Sequence, residues 1–361
     1  MVKTPSRQVG MVIDLNKCIG CQTCSMACKR LWTGGEGQKQ LWWNKVNTMP
    51  GEGSPRGWED MGGGFDTDPS FLGWRVGAGK PGSSRLPEDD EFGTYVELPA
   101  GEEVALSGEG RRTTTPEARP RWMYNWDEDR GAGVHPNAFF FYLPRLCNHC
   151  DRPACLEACP RDAIYKREED GIVLVNEEKC EGYRFCMEAC PYKVIYFNPK
   201  ENVAQKCIGC YPRVELGVAP ACARSCPARA RFYGYVDDPD SVVYKLRKWG
   251  VALPLHPKFG TGPNVFYIPI MSSSRLDEEG RPTGEPRIPL DYLKSLFGDA
   301  VTGALETLKQ ERQKMRDGGS SSLMDMLVGW RWPDNFFAPF VKAPDEAKAP
   351  RQEVTGDAAA E

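Results

Sequence analysis

The stretch CNHCDRPACLEACPRDAIYKREEDGIVLVNEEKCEGYRFCMEACP, residues 147–191, decides how this chain is read. Two runs of closely spaced cysteines bracket it: Cys147, Cys150, Cys155 and Cys159 in front, Cys180, Cys186 and Cys190 behind. Each run closes on a proline, Pro160 or Pro191, which fixes the backbone just after the last cysteine and removes a donor there. Between the runs, DAIYKREEDGIVLV reads as a strand, a charged turn at Glu169 to Gly171, and a strand from Ile172 to Val175. VIYFNPKENVAQKC, residues 194–207, repeats the idea after the second run. Cysteine runs joined by a short hairpin and then repeated are the build of a bicluster ferredoxin module.

Two further groups lie outside that stretch. Cys18, Cys21, Cys24 and Cys28 are spaced C-x2-C-x2-C-x3-C behind an apolar run, Val9 to Ile13, that reads as a strand. Cys207, Cys210, Cys222 and Cys226 are followed by Pro227, whereas Lys29 holds the equivalent place in the first group. The four groups use all 15 cysteines. Disulfides are a poor reading, because the chain is long, the count is odd and the runs are tight. Zinc sites use CxxC pairs a dozen or more residues apart or mix Cys with His, and this chain has three histidines. Iron–sulfur clusters match the spacing.

A four-iron cubane needs four thiolates around a small cube. A loop with Cys at i, i+3 and i+6 wraps three corners, and in two-cluster ferredoxins the fourth cysteine serves the neighbouring cluster. Adjacency pairs the second group with the third, leaving the first to pair with the fourth. The expected [4Fe–4S] sets are Cys18, Cys21, Cys24 and Cys226; Cys28, Cys207, Cys210 and Cys222; and Cys147, Cys150, Cys155 and Cys190. What remains is Cys159, Cys180 and Cys186, with Tyr183 where a cysteine is expected. A [3Fe–4S] cluster with Tyr183 at its vacant fourth position follows, and fewer thiolates favour a higher potential. The competing reading is a four-iron cluster with water or Tyr183 at that corner.

The fold class expected is α+β, two bicluster ferredoxin-like modules wrapped by long irregular insertions and a C-terminal helical extension. Residues 1–31 and 200–240 form the first module and 143–199 the second. Residues 32–142 form a cysteine-free wrapping insertion rich in Gly, Pro and Trp, read as irregular structure. Residues 241–342 form the extension and 343–361 a flexible tail. Within the extension, Leu290, Leu293, Leu296, Phe297, Val301, Leu305 and Leu308 predict one amphipathic helix over 290–316, with its own core preferred over a partner as the docking surface.

A net charge of −4 and no basic stripe argue against nucleic acid, and 40% hydrophobic content argues against general disorder. The N-terminus MVKTPSRQVG lacks the apolar core of a signal peptide, and no run of about 18 apolar residues predicts a membrane span. His149, between Cys147 and Cys150, could suggest a Rieske-type ligand, but that set is already complete and a local hydrogen bond is the reading preferred. His135 and His256 read as structural, and the Trp and Tyr residues as packing that keeps water away. Neither a nucleotide-binding glycine motif nor a catalytic constellation stands out.

DLNKCIGCQTCSMACK, FYLPRLCNHCDRPACLEACP, GYRFCMEACPYKVIYFNP and QKCIGCYPRVELG resemble the iron–sulfur beta subunits of the dimethyl sulfoxide reductase family of molybdenum enzymes. The branch resembled holds ethylbenzene dehydrogenase, dimethyl sulfide dehydrogenase, and selenate, chlorate and respiratory nitrate reductases. The resemblance covers most of residues 8–270. Formate dehydrogenase and dimethyl sulfoxide reductase beta subunits usually have cysteine where Tyr183 stands. Nitrate reductase beta subunits usually have Trp there and a longer chain, so Tyr183 and the length of 361 point toward the ethylbenzene and dimethyl sulfide dehydrogenase-like group.

The resemblance implies a non-catalytic electron-transfer subunit set between two partners. One is an alpha subunit with a molybdenum bis-pterin guanine dinucleotide cofactor, on the side of the Cys18/Cys226 cluster. The other is a gamma subunit with haem b, on the side of the three-iron cluster. It also implies a periplasmic home, reached on the alpha subunit's twin-arginine signal, with the cytoplasm as the alternative. A hydrocarbon or sulfide dehydrogenase is preferred to an oxyanion reductase. A free-standing polyferredoxin would need no Trp-rich insertion, and a zinc scaffold would be colourless.

Overall fold

The structure, a computed structural model, describes residues 5–65 and 131–328. Most of the wrapping insertion and the tail at 343–361 lie outside the described residues.

In chain order, strand β1 (Val9–Asp14) and helix α1 (Thr23–Trp32) frame the first cysteine group, and β2 (Asn44–Met49) follows. Strand β3 (Phe141–Leu146) leads into the second group and the short α2 (Ala154–Glu157). The hairpins β4 (Ile164–Lys166) with β5 (Val173–Val175), and β6 (Ile195–Asn198) with β7 (Val203–Lys206), flank α3 (Phe185–Ala189). In the fourth group Cys210 precedes α4 (Tyr211–Val214), Cys222 lies within α5 (Ala221–Arg224), and Cys207 and Cys226 flank the two helices. Beyond it come β8 (Arg231–Tyr235), α6 (Val242–Lys248), β9 (Leu253–Pro254) and β10 (Val265–Ile268). An exposed hairpin of β11 (Ser274–Leu276) and β12 (Pro282–Pro286) precedes α7 (Leu290–Phe297), α8 (Ala300–Arg316) and α9 (Ser322–Leu327).

The sheet that positions the first and fourth groups has the order β8-β1-β10-β9, with β1 antiparallel to β8 and parallel to β10. Every residue of β1 is buried because it is a central strand covered on both faces. Its side chains alternate. Met11 and Ile13 face the large core that includes the cysteines, whereas Val12 joins Val243, Leu246, Leu308 and Leu323 in a second core under the C-terminal helices. Strand β10 and the helices from 241 onward thus complete the layer beneath the first and fourth groups.

Helix α1 packs on α5, and α2 packs on α3. The first group therefore meets the fourth, and the second meets the third.

Two expectations need correction. The single helix expected over 290–316 is two, α7 and α8, broken at Gly298, whose φ of 75° and ψ of −178° are open to glycine alone. Both halves still dock on their own core through Leu293, Leu296, Phe297, Val301 and Leu308. The insertion is not wholly irregular: β2 pairs with β3 along its full length, from Asn44 opposite Leu146 to Met49 opposite Phe141. NKVNTM carries no alternating apolar signal, yet all six residues are buried, so hydrophobic patterning could not reveal this strand.

Candidate iron–sulfur centres

Helix pairing brings the cysteines together across long stretches of sequence. Cys18, Cys21, Cys24 and Cys226 line one cavity. Burial, helped by Cys24 and Cys226, pushes the Cys18 thiol up to about 11, with a Gly20 backbone hydrogen bond and Arg231 opposing. Cys28, Cys207, Cys210 and Cys222 line a second cavity, joined there by Cys147, and burial followed by Cys207, Cys222 and Cys210 holds the Cys28 thiol well above its ordinary value. Cys155 is likewise pushed up by burial and then by Cys190, Cys147 and Cys150. Cys186 rises to about 12 through burial, then Cys180 and Cys159. Adjacent sets also lie within electrostatic reach of one another: Cys24 raises Cys222, Cys147 raises Cys207 and Cys190 raises Cys186, each beside the larger effect of burial. The sets therefore form one row.

The local backbone explains the role of the prolines. After Cys159, Cys190 and Cys226 the chain turns tightly, with left-handed backbone at Asp162, Lys193 and Arg229, φ 47°, 47° and 48°. In the outer two turns the amide four residues on returns to the sulfur, Ala163 N to Cys159 at 3.3 Å and Ala230 N to Cys226 at 3.4 Å. Cys28 lacks the proline, so α1 runs on through Lys29 to Trp32. Lys29 donates instead to the carbonyls of Gln38, Lys39 and Leu41, tying down the loop that follows.

Further donors converge on sulfur: Trp32 Nε1 on Cys210 at 3.1 Å, Ala204 N on Cys180 at 3.3 Å, Gly209 N on Cys207 at 3.4 Å and Arg231 Nη2 on Cys24 at 3.2 Å. A thiol is a weak acceptor, so this convergence fits thiolates carrying negative charge. Around the second cavity, Trp43 Nε1, Tyr233 Oη and His149 Nε2 are buried with no partner among the described residues. Unpaired buried donors are costly, so they fit a group inside the cavity that accepts hydrogen bonds, as a cluster's sulfurs do. Among the described residues no His, Cys, Asp and Glu side chains are grouped to hold a single metal ion. All 15 cysteines are free thiols.

Tyr183 stands at the loop position that Cys21, Cys150 and Cys210 occupy in the other groups. Its side chain is 55% exposed, its hydroxyl donates to Glu181 at 2.9 Å, and its ring stacks on the exposed Phe185. His256 is pinned by Glu59 at 2.6 Å and by the Ser295 carbonyl at 3.1 Å, a structural role.

The sequence reading missed the buried cations. Arg231 is 1% exposed and Lys206 3%, and Lys206 Nζ reaches Cys147 Sγ at 3.7 Å and the Cys207 carbonyl at 3.2 Å. Arginine and lysine are ordinarily surface residues, so composition offers no signal for them. Only the position of Lys206, immediately before Cys207, hinted at it. The donor role of Trp32 was also missed, since an indole looks like packing until its partner is placed.

A model of a 4Fe-4S dicluster domain matches residues 138–236. The beta subunit of dimethylsulfide dehydrogenase from Rhodovulum sulfidophilum is 51% identical over 331 residues, 91% of this chain and 98% of that one. The selenate reductase beta subunit of Thauera selenatis is 49% identical, with the same coverage of both chains. A respiratory nitrate reductase beta subunit from Haloferax mediterranei is 49% identical over 89% of this chain and 90% of its own. No helix among the described residues is long and apolar enough to cross a membrane.

Proposed function

The chain belongs to the family of iron–sulfur beta subunits found in dimethylsulfide dehydrogenase and in selenate, perchlorate and chlorate reductases, and from that premise we propose how its 15 cysteines serve electron transfer. It is an electron-transfer subunit of an oxidoreductase complex and carries no catalytic centre. Cys18, Cys21, Cys24 and Cys226 hold one four-iron cluster; Cys28, Cys207, Cys210 and Cys222 a second; Cys147, Cys150, Cys155 and Cys190 a third. Cys159, Cys180 and Cys186 hold a three-iron cluster. When bound, the clusters supply one-electron exchange. The single observation behind this reading is the row of thiols, in which each set lies within electrostatic reach of the next.

What the chain's own residues do is hold that row and seal it. The thiolates are gathered by α1 against α5 and by α2 against α3. Backbone amides and Trp32 donate to their sulfurs, and the surrounding core excludes water. Both ends reach the surface, at Cys21 with Ile19 and Met26, and at Tyr183 with Phe185. The two ends supply docking places for two partners. The first faces an alpha subunit with a molybdenum bis-pterin guanine dinucleotide cofactor, and the second a gamma subunit with haem b. The Tyr183 hydroxyl, engaged by Glu181, supports a vacant corner over a tyrosinate ligand.

The complex is periplasmic in this reading and acts as a hydrocarbon or sulfide dehydrogenase. The relatives near half identity include a dehydrogenase and oxyanion reductases alike, so an oxyanion reductase remains the second reading. Purification without oxygen from the native host tests the proposal. About 15 irons from this chain, with molybdenum, haem and the near-isotropic electron paramagnetic resonance signal of an oxidised three-iron cluster, are expected. A lone protein with about 16 irons and no such signal would overturn it.

A further inference from the structure

Four loops of this chain place left-handed backbone just before the second ligand position. In three the residue is glycine: Gly20 before Cys21 at φ 67°, Gly182 before Tyr183 at φ 72°, and Gly209 before Cys210 at φ 62°. In the fourth it is His149, before Cys150, at φ 43°. Glycine adopts this conformation freely, whereas a residue with a Cβ does so against steric strain. The loop that carries the imidazole therefore keeps it at a cost the other three avoid.

One bond orients the ring and two more hold its loop. The Val173 N–H donates to Nδ1 at 3.1 Å, so the ring proton resides on Nε2. Asn264, just ahead of β10, donates through Nδ2 to the His149 carbonyl at 3.0 Å and through its main-chain N–H to the Asn148 carbonyl at 2.9 Å. The loop is thereby fastened to the sheet of the other cysteine pair. Nε2 is buried and has no partner among the described residues. His149 and Cys147 of its own loop line the cavity shared by Cys28, Cys207, Cys210 and Cys222, a proposed ligand set to which that loop contributes no thiol. Trp43 and Tyr233 bring two more unpaired donors to the same cavity.

We propose that His149 donates its Nε2–H to a sulfur of the cluster held by Cys28, Cys207, Cys210 and Cys222, so that a loop ligating one cluster tunes its neighbour. The inference rests on the ligand sets proposed above. A hydrogen bond to sulfur stabilises the extra negative charge of the reduced state and so raises the reduction potential. His149 is thus a positioning and tuning residue.

The test uses the native complex, grown with nitrogen-15 histidine, as wild type, His149→Phe and His149→Gln. Iron content, redox titration and pulsed electron paramagnetic resonance of the reduced clusters are the readouts. The expected result is a weak histidine nitrogen coupling in the wild type that is lost in both variants. One four-iron potential falls in His149→Phe by about 59 mV or more, tenfold in the one-electron equilibrium, and largely recovers in His149→Gln, whose amide can donate. Full iron with unmoved potentials in His149→Phe would overturn the hydrogen bond alone, as would absence of the weak coupling from the wild type whether or not the variants assemble. A wild-type iron count far below about 15 would instead overturn the ligand sets.

Discussion

Nη2 of Arg231 lies 3.2 Å from Sγ of Cys24, and both groups are buried. The same guanidinium lies within electrostatic reach of Cys222, and Asn44 Oδ1 accepts from Nη2 at 2.8 Å. A buried cation is tolerated only beside negative charge, and here that charge comes from Cys24 and then Cys222, Cys18 and Cys226. One side chain thus reaches sulfurs of two proposed clusters. Arg231→Met should lower two four-iron potentials together, each by about 59 mV or more, while Arg231→Lys retains most of the effect. A titration in which only one potential moves, or all four do, contradicts the bridging role.

Tyr183 supplies the sharpest test of the incomplete set. Tyr183→Cys restores a thiolate at the position equivalent to Cys21, Cys150 and Cys210. The side chain already lies at the surface with its hydroxyl turned to Glu181, so the exchange disturbs little packing. The expected outcome is loss of the three-iron signal, a gain of about one iron per chain and a lower potential at that site. An unchanged signal in the fully loaded variant would remove the vacant corner.

Gly298 separates α7 from α8 in a conformation that residues with a Cβ avoid. A Cβ there would also approach Pro257 Cγ to 3.1 Å. Gly298→Ala should cost about 1–3 kcal/mol. The loss should be visible as an earlier thermal transition with cluster content unchanged, and a transition at the wild-type temperature would show that the break carries no strain.

Lys29 replaces the proline found after the other groups and satisfies three carbonyls of the loop after α1. Lys29→Met leaves those carbonyls without their charged donor, at a cost of about 1.5–3 kcal/mol. Hydrogen exchange should accelerate over residues 36–42 while β1 and β10 stay protected. Uniform acceleration across the chain would mean that the lysine supports the whole fold.

Much of the site was legible because its signals are short in range. The C-x2-C spacing, the proline after the last cysteine and the charged turn at Glu169 to Gly171 are constraints on a few neighbouring residues, and hairpins β4/β5 and β6/β7 appear where they were expected. Strand β2 was hidden, because Asn44, Lys45, Asn47 and Thr48 are buried by partners that appear only at β3 and beyond. The helix break at Gly298 was hidden too, since the apolar period continues across it while the backbone does not.

The sequence by itself determined that the cysteines fall into groups built for iron–sulfur ligation and that one group is a ligand short. It did so because ligand spacing is set by covalent geometry along a single loop. The tertiary structure alone decided which buried charge meets which sulfur, that β1 lies parallel to β10 with Met11 beside Val265, and that His149 lines the cavity of Cys28, Cys207, Cys210 and Cys222. Those outcomes depend on residues far apart in the chain, brought together by burial of a common core, and no local pattern encodes the partner.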